Sequence, residues 1–136
     1  MDTVEKVVRK TTENDRLANL IGLNIGEVKS GYAKVTVTVE DKHLNCLDIT
    51  HGGVIFTLAD TAFSLASNSH GKTAVALNMS INFVKATKVG TVLTAIARED
   101  KITRSTGLYR IEVTDQSGEL VSVAEGLVFR KQEGIV

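Results

Sequence analysis

One carboxylate stands alone in the apolar stretch from His51 to Ser69, which reads HGGVIFTLADTAFSLASNS. Asp60 is the only Asp, Glu, Lys or Arg between Gly52 and Gly71. Moving such a group away from water costs free energy unless it is paired or takes part in a reaction. Asp60 is therefore the first candidate for a general base or a nucleophile, and both roles need it ionised.

The start of the same stretch offers a complementary group. His51-Gly52-Gly53 precedes the apolar run, and the free N–H groups at the start of a helix can hold a developing oxyanion. Asp60 follows two turns later, roughly 12 Å from Gly52 along a helix axis. That distance is too long for one helix to build a compact site. A second copy of the chain, bringing its own Gly52 near this Asp60, would close the gap.

The predicted helix has two faces at about 100° per residue. The side predicted to lie on a sheet consists of Val54, Ile55, Leu58, Ala59, Ala62, Leu65 and Ala66. The opposite side consists of Phe56, Thr57, Asp60, Phe63, Ser64 and Ser67. A solvent-facing side normally carries Lys, Glu or Arg, so the second side is also predicted to be covered, by another copy of the chain.

The elements around this helix follow from hydrophobic spacing. Apolar residues at helical spacing from Val4 to Ile21 predict one or two short N-terminal helices, interrupted near Thr11-Thr12 and stopped by Gly22. Alternating apolar residues predict strands within 23–30, 32–39, 75–83, 91–101, 108–114 and 119–130. In the third of these, Val75, Leu77, Met79, Ile81 and Phe83 keep a strict period of two. The order predicts an α+β domain in which an antiparallel sheet of about five or six strands covers one long helix.

Composition limits the class of protein. The chain has 136 residues, 43% hydrophobic and 24% charged, which predicts a single domain over 1–136. Sixteen basic residues balance sixteen acidic ones, so no net charge attracts nucleic acid or an anionic membrane. No apolar run is long enough to cross a bilayer. With one cysteine, Cys46, and no targeting pattern, we expect a cytoplasmic protein.

Several motifs together carry a resemblance to a known family. They are Asn45, His51-Gly52-Gly53, Leu58-Ala59-Asp60-Thr61-Ala62, the segment 80–85 and Lys88-Val89-Gly90. In this order they resemble the hotdog-fold acyl-CoA thioesterases, most closely the phenylacetic acid degradation (PaaI-like) group, over about Gly22 to Arg130. The resemblance implies a sheet wrapped around the long helix. It also implies a dimer or a dimer of dimers, with continuous sheets and active sites at the subunit interface.

The resemblance also implies roles for residues. Asp60 would attack the thioester carbonyl or activate a water, and the Gly52 N–H would polarise that carbonyl. Asn45 would hold the carbonyl or the water, and Ser64 would hydrogen-bond the carboxylate or the water. The implied reaction hydrolyses a medium-chain or aryl-acyl-CoA to a free acid and coenzyme A, without a metal or a separate cofactor. Ala76 departs from the pattern, because some relatives carry a hydroxyl there that could position the water.

Further candidates for substrate binding are His51, Gly53, Phe56, Phe63, Lys85, Lys88 and Arg104. The three basic residues lie at strand ends or turns and suit the phosphates of coenzyme A, but solubility explains them equally well. The two phenylalanines flank Asp60 and would line an acyl pocket or pack a dimer core. The histidine either shapes the loop or simply starts the helix.

Other functions compete with hydrolysis. A non-catalytic acyl-CoA-binding module is the main alternative, and an intact set of Asp60, Asn45 and Gly52 favours the enzyme over it. A hydratase of the same fold would need an Asp and His pair, and His70 is too remote from Asp60. Cys46 has no partner histidine in a convincing position for a nucleophile, and the three histidines lack metal-site spacing.

Overall fold

The computed structural model of the chain describes residues 1–136. A single antiparallel sheet of six strands has the order β1-β2-β4-β5-β6-β3. The helices are α1 (Thr3–Asn14), α2 (Arg16–Ile21) and α3 (Gly52–Asn68), with a short 3-10 helix at Asp41–His43. The strands are β1 (Asn24–Lys29), β2 (Tyr32–Thr38), β3 (Lys72–Phe83), β4 (Val92–Ile102), β5 (Thr106–Thr114) and β6 (Leu120–Gly134). This arrangement confirms the predicted α+β hotdog fold with short N-terminal helices.

The core lies between α3 and the concave side of the sheet. The seven helix residues predicted to face the sheet are all buried. The strands meet them with alternate residues, including Ala33, Val35 and Val37 of β2 and Leu93, Ala95 and Ala97 of β4, each at most 2% exposed. Removing this apolar surface from water is the main force that holds the helix on the sheet. No helix of the chain is long and apolar enough to cross a membrane.

The sheet covers more of α3 than the helical wheel predicted. Phe63 and Ser67, predicted to lie opposite the sheet, are only 1% and 2% exposed. For Phe63 the reason is Gly126 of β6, where an added Cβ would lie 2.5 Å from the ring. Without a side chain at this position, the strand can lie directly against the ring. Phe56 and Ser64 are exposed, so the uncovered part of α3 is narrower than predicted.

The strict period of two predicted for β3 is wrong at Leu77. Ala76 pairs with Val128 and Asn78 pairs with Leu127, so Leu77 is an extra residue in a β-bulge. A bulge shifts the alternation of side chains by one. Met79 and Ile81 therefore pack against the core. Leu77, on the far side of the shift, is 59% exposed.

The N-terminal helices break at Asp15, not near Thr11-Thr12 as predicted. The Asp15 side chain accepts the Ala18 N–H at 3.0 Å and starts α2, while its own N–H donates to the Thr11 carbonyl at 2.9 Å. A capping side chain explains the break better than two threonines, which are tolerated inside a helix. Gly22 ends α2 as predicted, with a φ of 84°.

Candidate active site

The start of α3 presents one free amide. The Nδ1 atom of His51 accepts the Gly53 N–H at 2.8 Å, and the His51 carbonyl accepts the N–H groups of Val54 and Ile55 at 2.9 and 3.3 Å. The Gly52 N–H has no acceptor within the chain. It lies at the positive end of the helix dipole, where an anionic oxygen is stabilised. His51 and Gly53 thus bond to each other and shape the turn that leaves Gly52 free.

Asn45 lies in a tight loop that precedes α3. Its Oδ1 atom accepts the Leu47 N–H at 2.9 Å and the Ile49 N–H at 3.4 Å, and its own N–H donates to the Ile49 carbonyl at 2.9 Å. Asp48 supports the turn with a φ of 60°, in the left-handed region. Because its oxygen is occupied, Asn45 can offer a ligand only its amide N–H groups, which suit a carbonyl oxygen or a water.

Asn45 and Gly52 line the same hollow, of about 400 Å³. Phe83, at the end of β3, forms part of its wall, and an added Cβ at Gly52 would touch the Phe83 ring at 3.4 Å. Lys85 also lines this hollow. Two hydrogen-bond donors therefore meet an aromatic ring in a space large enough for the reacting end of a small molecule.

Asp60 is half-buried and makes no hydrogen bond or ion pair within the chain. Burial raises the pKa of its carboxyl above the ordinary value, and the negative charge of Asp15 raises this pKa further. A carboxylate that lacks hydration and a partner is a stronger base than one in water. Asp60 therefore has the properties of a catalytic base or nucleophile.

Asp60 lines a second, smaller hollow of about 130 Å³. Ser64, one turn later, lines it too, and the opposite wall includes Ala74 and Ala76 of β3. The Ser64 hydroxyl makes no hydrogen bond with the carboxylate within the chain, so its predicted contact stays a prediction. The wall opposite the carboxylate at Ala76 has no hydroxyl to hold a water.

The two hollows are separate within one copy of the chain. Gly52 and Asn45 line the first and Asp60 and Ser64 line the second, and they share no residue. Both Gly52 and Asp60 belong to α3, with roughly 12 Å of helix between them. One protomer therefore presents two halves of a site and does not bring them together.

The three basic candidates do not form one cluster in a protomer. The Lys85 ammonium donates to Asp115 and Glu119 at 2.5 and 2.6 Å, and these bonds raise its pKa. Lys88 and Arg104 are exposed and form no ion pair. They flank opposite ends of β4, a strand of roughly 33 Å. Lys85 is already paired with two carboxylates. Lys88 and Arg104 could bind the same ligand only if they came from different subunits.

The roles of some residues at this site were not predicted from the sequence. Phe83 was predicted as part of a strand and of a family motif but not as a site residue, although a Cβ at Gly52 would touch its ring. The charge of Asp15, at the junction of α1 and α2, raises the pKa of Asp60, and nothing in the spacing of the two residues indicates this. The Thr87 hydroxyl bonds that of Thr50 at 2.8 Å and anchors the loop before α3. Each contact joins distant segments, and only an alignment of relatives could have indicated them in advance.

Comparison with known proteins agrees with this geometry. The family model of the thioesterase superfamily matches residues 47–122. A protein of Archaeoglobus fulgidus is 45% identical over 130 residues, which is 96% of this chain and 84% of that protein. The acyl-coenzyme A thioesterase PaaI of Escherichia coli is 40% identical over 114 residues, 84% of this chain and 81% of the relative.

Solved structures give the same result. The structure of E. coli PaaI, a protein from the phenylacetic acid degradation operon, superposes with a TM-score of 0.94 at 36% identity, covering 98% of this chain and 97% of that one. A Streptococcus mutans protein bound to acetyl CoA superposes with a TM-score of 0.80 at 34% identity, covering 83% and 91%. The family match, these identities and the shared fold lead to one assignment: the chain belongs to the thioesterase superfamily and is a PaaI-like hotdog thioesterase.

Proposed function

We propose that this enzyme hydrolyses acyl-CoA thioesters at a site shared by two copies of the chain. In this site Asp60 of one copy is the base or nucleophile, and the Gly52 N–H of the other copy binds the thioester oxygen. The observation that carries the proposal is that Gly52 N–H and the Asp60 carboxylate both lack a partner within a protomer. Each is therefore free to bind a group from outside its own chain.

The edge strand β3 supports the pairing of two copies. It has 12 residues and bonds only to β6, so one side of its backbone is open. Val75, Leu77, Phe83 and Val84, on or next to this strand, are 40–59% exposed. A long apolar edge strand usually pairs with another strand. Pairing of β3 with β3 of the other copy would make the two sheets continuous, as the family resemblance implies. It would also bring the hollows of the two copies to the same subunit interface.

The chemistry needs no group beyond these residues. The Asp60 carboxylate takes a proton from a water whose oxygen bonds to the thioester carbon, or it bonds to that carbon itself and the resulting anhydride is hydrolysed. The carbonyl oxygen gains negative charge and accepts the Gly52 N–H, while the Asn45 amide donates to the same oxygen or to the water. In the water route the carbon–sulfur bond breaks next, and Asp60 returns its proton to the sulfur. In the nucleophile route this bond breaks as the anhydride forms, the thiolate takes a proton from the solvent, and water then hydrolyses the anhydride.

The substrate class follows from the relatives and from the walls of the site. The E. coli relative is named an acyl-coenzyme A thioesterase, and the S. mutans structure holds acetyl CoA. Phe56 is 37% exposed beside Asp60 and suits an apolar acyl group. Phe63 packs in the core against Tyr109, although it also lines the hollow that contains Asp60. We therefore propose a medium-chain or aryl-acyl group, with Lys88 and Arg104 as candidates for the coenzyme A phosphates.

Complementation between two inactive variants tests the shared site. Asp60→Asn removes the base, and Gly52→Pro removes the N–H while keeping a residue suited to the first position of a helix. Co-expressed with different tags, the two variants form mixed dimers in which one site contains both changes and the other contains neither. With random pairing, about a quarter of the wild-type turnover should return.

The controls separate the possible results. Each variant expressed alone should be at least about a hundredfold less active on a panel of acyl-CoA thioesters. Mixed dimers purified through both tags should carry about half of the wild-type activity. If neither the co-expressed pair nor the purified mixed dimers were active, Gly52 and Asp60 of the same copy would serve one site. A monomer that is active in sedimentation would refute the shared site altogether.

A further inference from the structure

The polar side chains of the hollow that contains Asp60 all come from α3. They belong to Asp60, Ser64 and Ser67. The wall that β3 and β6 contribute is apolar and consists of Ala74, Ala76 and Val128. Apolar side chains offer a water no hydrogen bond. Of the side chains in a protomer, only those of α3 can therefore hold a water beside the Asp60 carboxylate.

Ser64 differs from the other hydroxyl residues of α3. A hydroxyl inside a helix commonly donates to a backbone carbonyl three or four residues earlier. The hydroxyls of Thr57 and Thr61 do so, to the carbonyls of Gly53 and Thr57 at 2.8 and 2.7 Å, and that of Ser67 donates to the Ser64 carbonyl at 3.2 Å. The Ser64 side chain is exposed, and its hydroxyl makes no hydrogen bond within the chain. Its proton and its lone pairs are therefore free for a ligand.

The spacing of Asp60 and Ser64 leaves room for a water between them. Residues four apart on a helix lie on one face, with their Cβ atoms about 5–6 Å apart. No direct hydrogen bond joins the two side chains, and both line a hollow of about 130 Å³. That volume exceeds the roughly 30 Å³ that one water occupies in the liquid, and a bound water needs at least two polar partners. The carboxylate and the free hydroxyl supply two.

We propose that Ser64 holds the hydrolytic water against Asp60, so that this water, and not the carboxylate, attacks the thioester carbon. The inference rests on the proposed function and selects one of its two routes. Asp60 accepts one hydrogen of the water and the Ser64 Oγ atom accepts the other, which leaves a lone pair of the water oxygen for the carbonyl carbon. As this oxygen bonds to the carbon, its proton passes to Asp60. The proton then moves to the sulfur when the carbon–sulfur bond breaks.

Removal and return of the hydroxyl test the inference. On hexanoyl- and phenylacetyl-CoA, Ser64→Ala should lower kcat by about 10- to 100-fold and leave KM within about threefold, because Ser64 contacts the water and not the thioester. The double variant Ser64→Ala, Ala76→Ser returns a hydroxyl from the opposite wall of the hollow and should regain at least about threefold in kcat. Ser105→Ala is the matched control, because Ser105 is also an exposed serine whose hydroxyl makes no hydrogen bond within the chain. Its kcat should stay within about twofold of wild type.

A single turnover in water labelled with heavy oxygen separates the two routes. With wild-type enzyme in excess over the thioester, the label should appear in the released acid and not in Asp60, because the attacking oxygen comes directly from water. Mass spectrometry of the acid and of the peptide that contains Asp60 gives the result. Label in Asp60 would show that the carboxylate attacks first, and would overturn the inference while the thioesterase activity stands.

The kinetic outcomes can also be told apart. An unchanged kcat in Ser64→Ala would overturn the inference alone. So would a double variant no faster than Ser64→Ala, since either hydroxyl lines the same hollow, and so would a slow Ser64→Ala that sediments as a smaller oligomer than wild type. A wild-type enzyme that hydrolyses neither thioester would overturn the proposed function and this inference with it.

Discussion

The ring of His51 accepts the N–H of Gly53 at 2.8 Å, and this bond decides which amide of α3 is free. The next two N–H groups of the first turn bond to the His51 carbonyl. Only the Gly52 N–H is left, at the positive end of the helix. A single donor is therefore selected by the local geometry of the His-Gly-Gly sequence, and its role can be tested without disturbing the helix.

A pair of substitutions at Gly52 isolates this N–H. His51 has φ −61° and ψ 133°, a conformation suited to the residue before a proline. Gly52→Pro should thus fold and lose the donor, while its ring adds carbon atoms at the former N–H, and kcat/KM should fall by at least about 10²- to 10³-fold. Gly52→Ala adds a Cβ in ordinary contact with Phe83 and keeps the N–H, so its loss should be much smaller. Equal losses in the two variants, with matching circular dichroism spectra, would exclude the amide as the oxyanion donor.

The stability of Asp60→Asn should depend on pH. Burial raises the pKa of Asp60 in the folded protein above the ordinary 3.8, so the folded state favours the protonated carboxyl. Below pH 3.8 both states are protonated and the group costs nothing, whereas above the raised pKa its ionisation lowers the free energy of unfolding. The variant should have a higher Tm than wild type at pH 7 and a similar Tm below pH 3.8. Thermal melts at both pH values and equal protein concentration give the comparison, and a lower Tm at pH 7 would contradict it.

The pH profile should respond to Asp15. Because Asp60 must be ionised, kcat/KM should rise with pH to a half-maximum above the ordinary 3.8. Asp15→Asn removes one negative charge but keeps a residue that caps helices well, so α2 should persist. The half-maximum should then move to lower pH with little change in the plateau. An unchanged pH of half-maximal kcat/KM would mean that the charge of Asp15 does not affect the pKa of the carboxyl that controls activity.

Gly126 should be intolerant of any side chain. A Cβ there would lie 2.5 Å from the Phe63 ring, which is itself buried against Tyr109. Gly126→Ala should lower the free energy of unfolding by about 1–3 kcal/mol, measured by urea titration at fixed protein concentration. The second substitution Phe63→Leu removes the clash and should restore part of this loss. If the losses of unfolding free energy in the two single variants simply added in the double variant, the Phe63 ring would not be the cause of the destabilisation by Gly126→Ala.

Local patterns in the sequence were sufficient for the fold. The α3 stretch and the alternation in β2 and β4 reflect helix and strand periodicity, which is a property of neighbouring residues. The lone Asp60 and the His-Gly-Gly start were likewise visible, because an unpaired charge in an apolar run breaks the expected pattern. The family match agrees with these features and with the resemblance they carried. The catalytic roles of Asp60, Asn45, Gly52 and Ser64 stay predictions.

Only the tertiary structure determined the bulge in β3, the burial of Phe63 and the partners of Lys85, because each depends on contacts between distant segments. The bulge at Leu77 exists only in the pairing of β3 with β6, and it reverses which apolar residues face the core. The burial of Phe63 depends on a glycine 63 residues later in the chain. The pairing of Lys85 with Asp115 and the bond of His43 to the end of α2 have the same origin. Periodicity determines what a segment forms, whereas strand register and side-chain packing determine which segments meet.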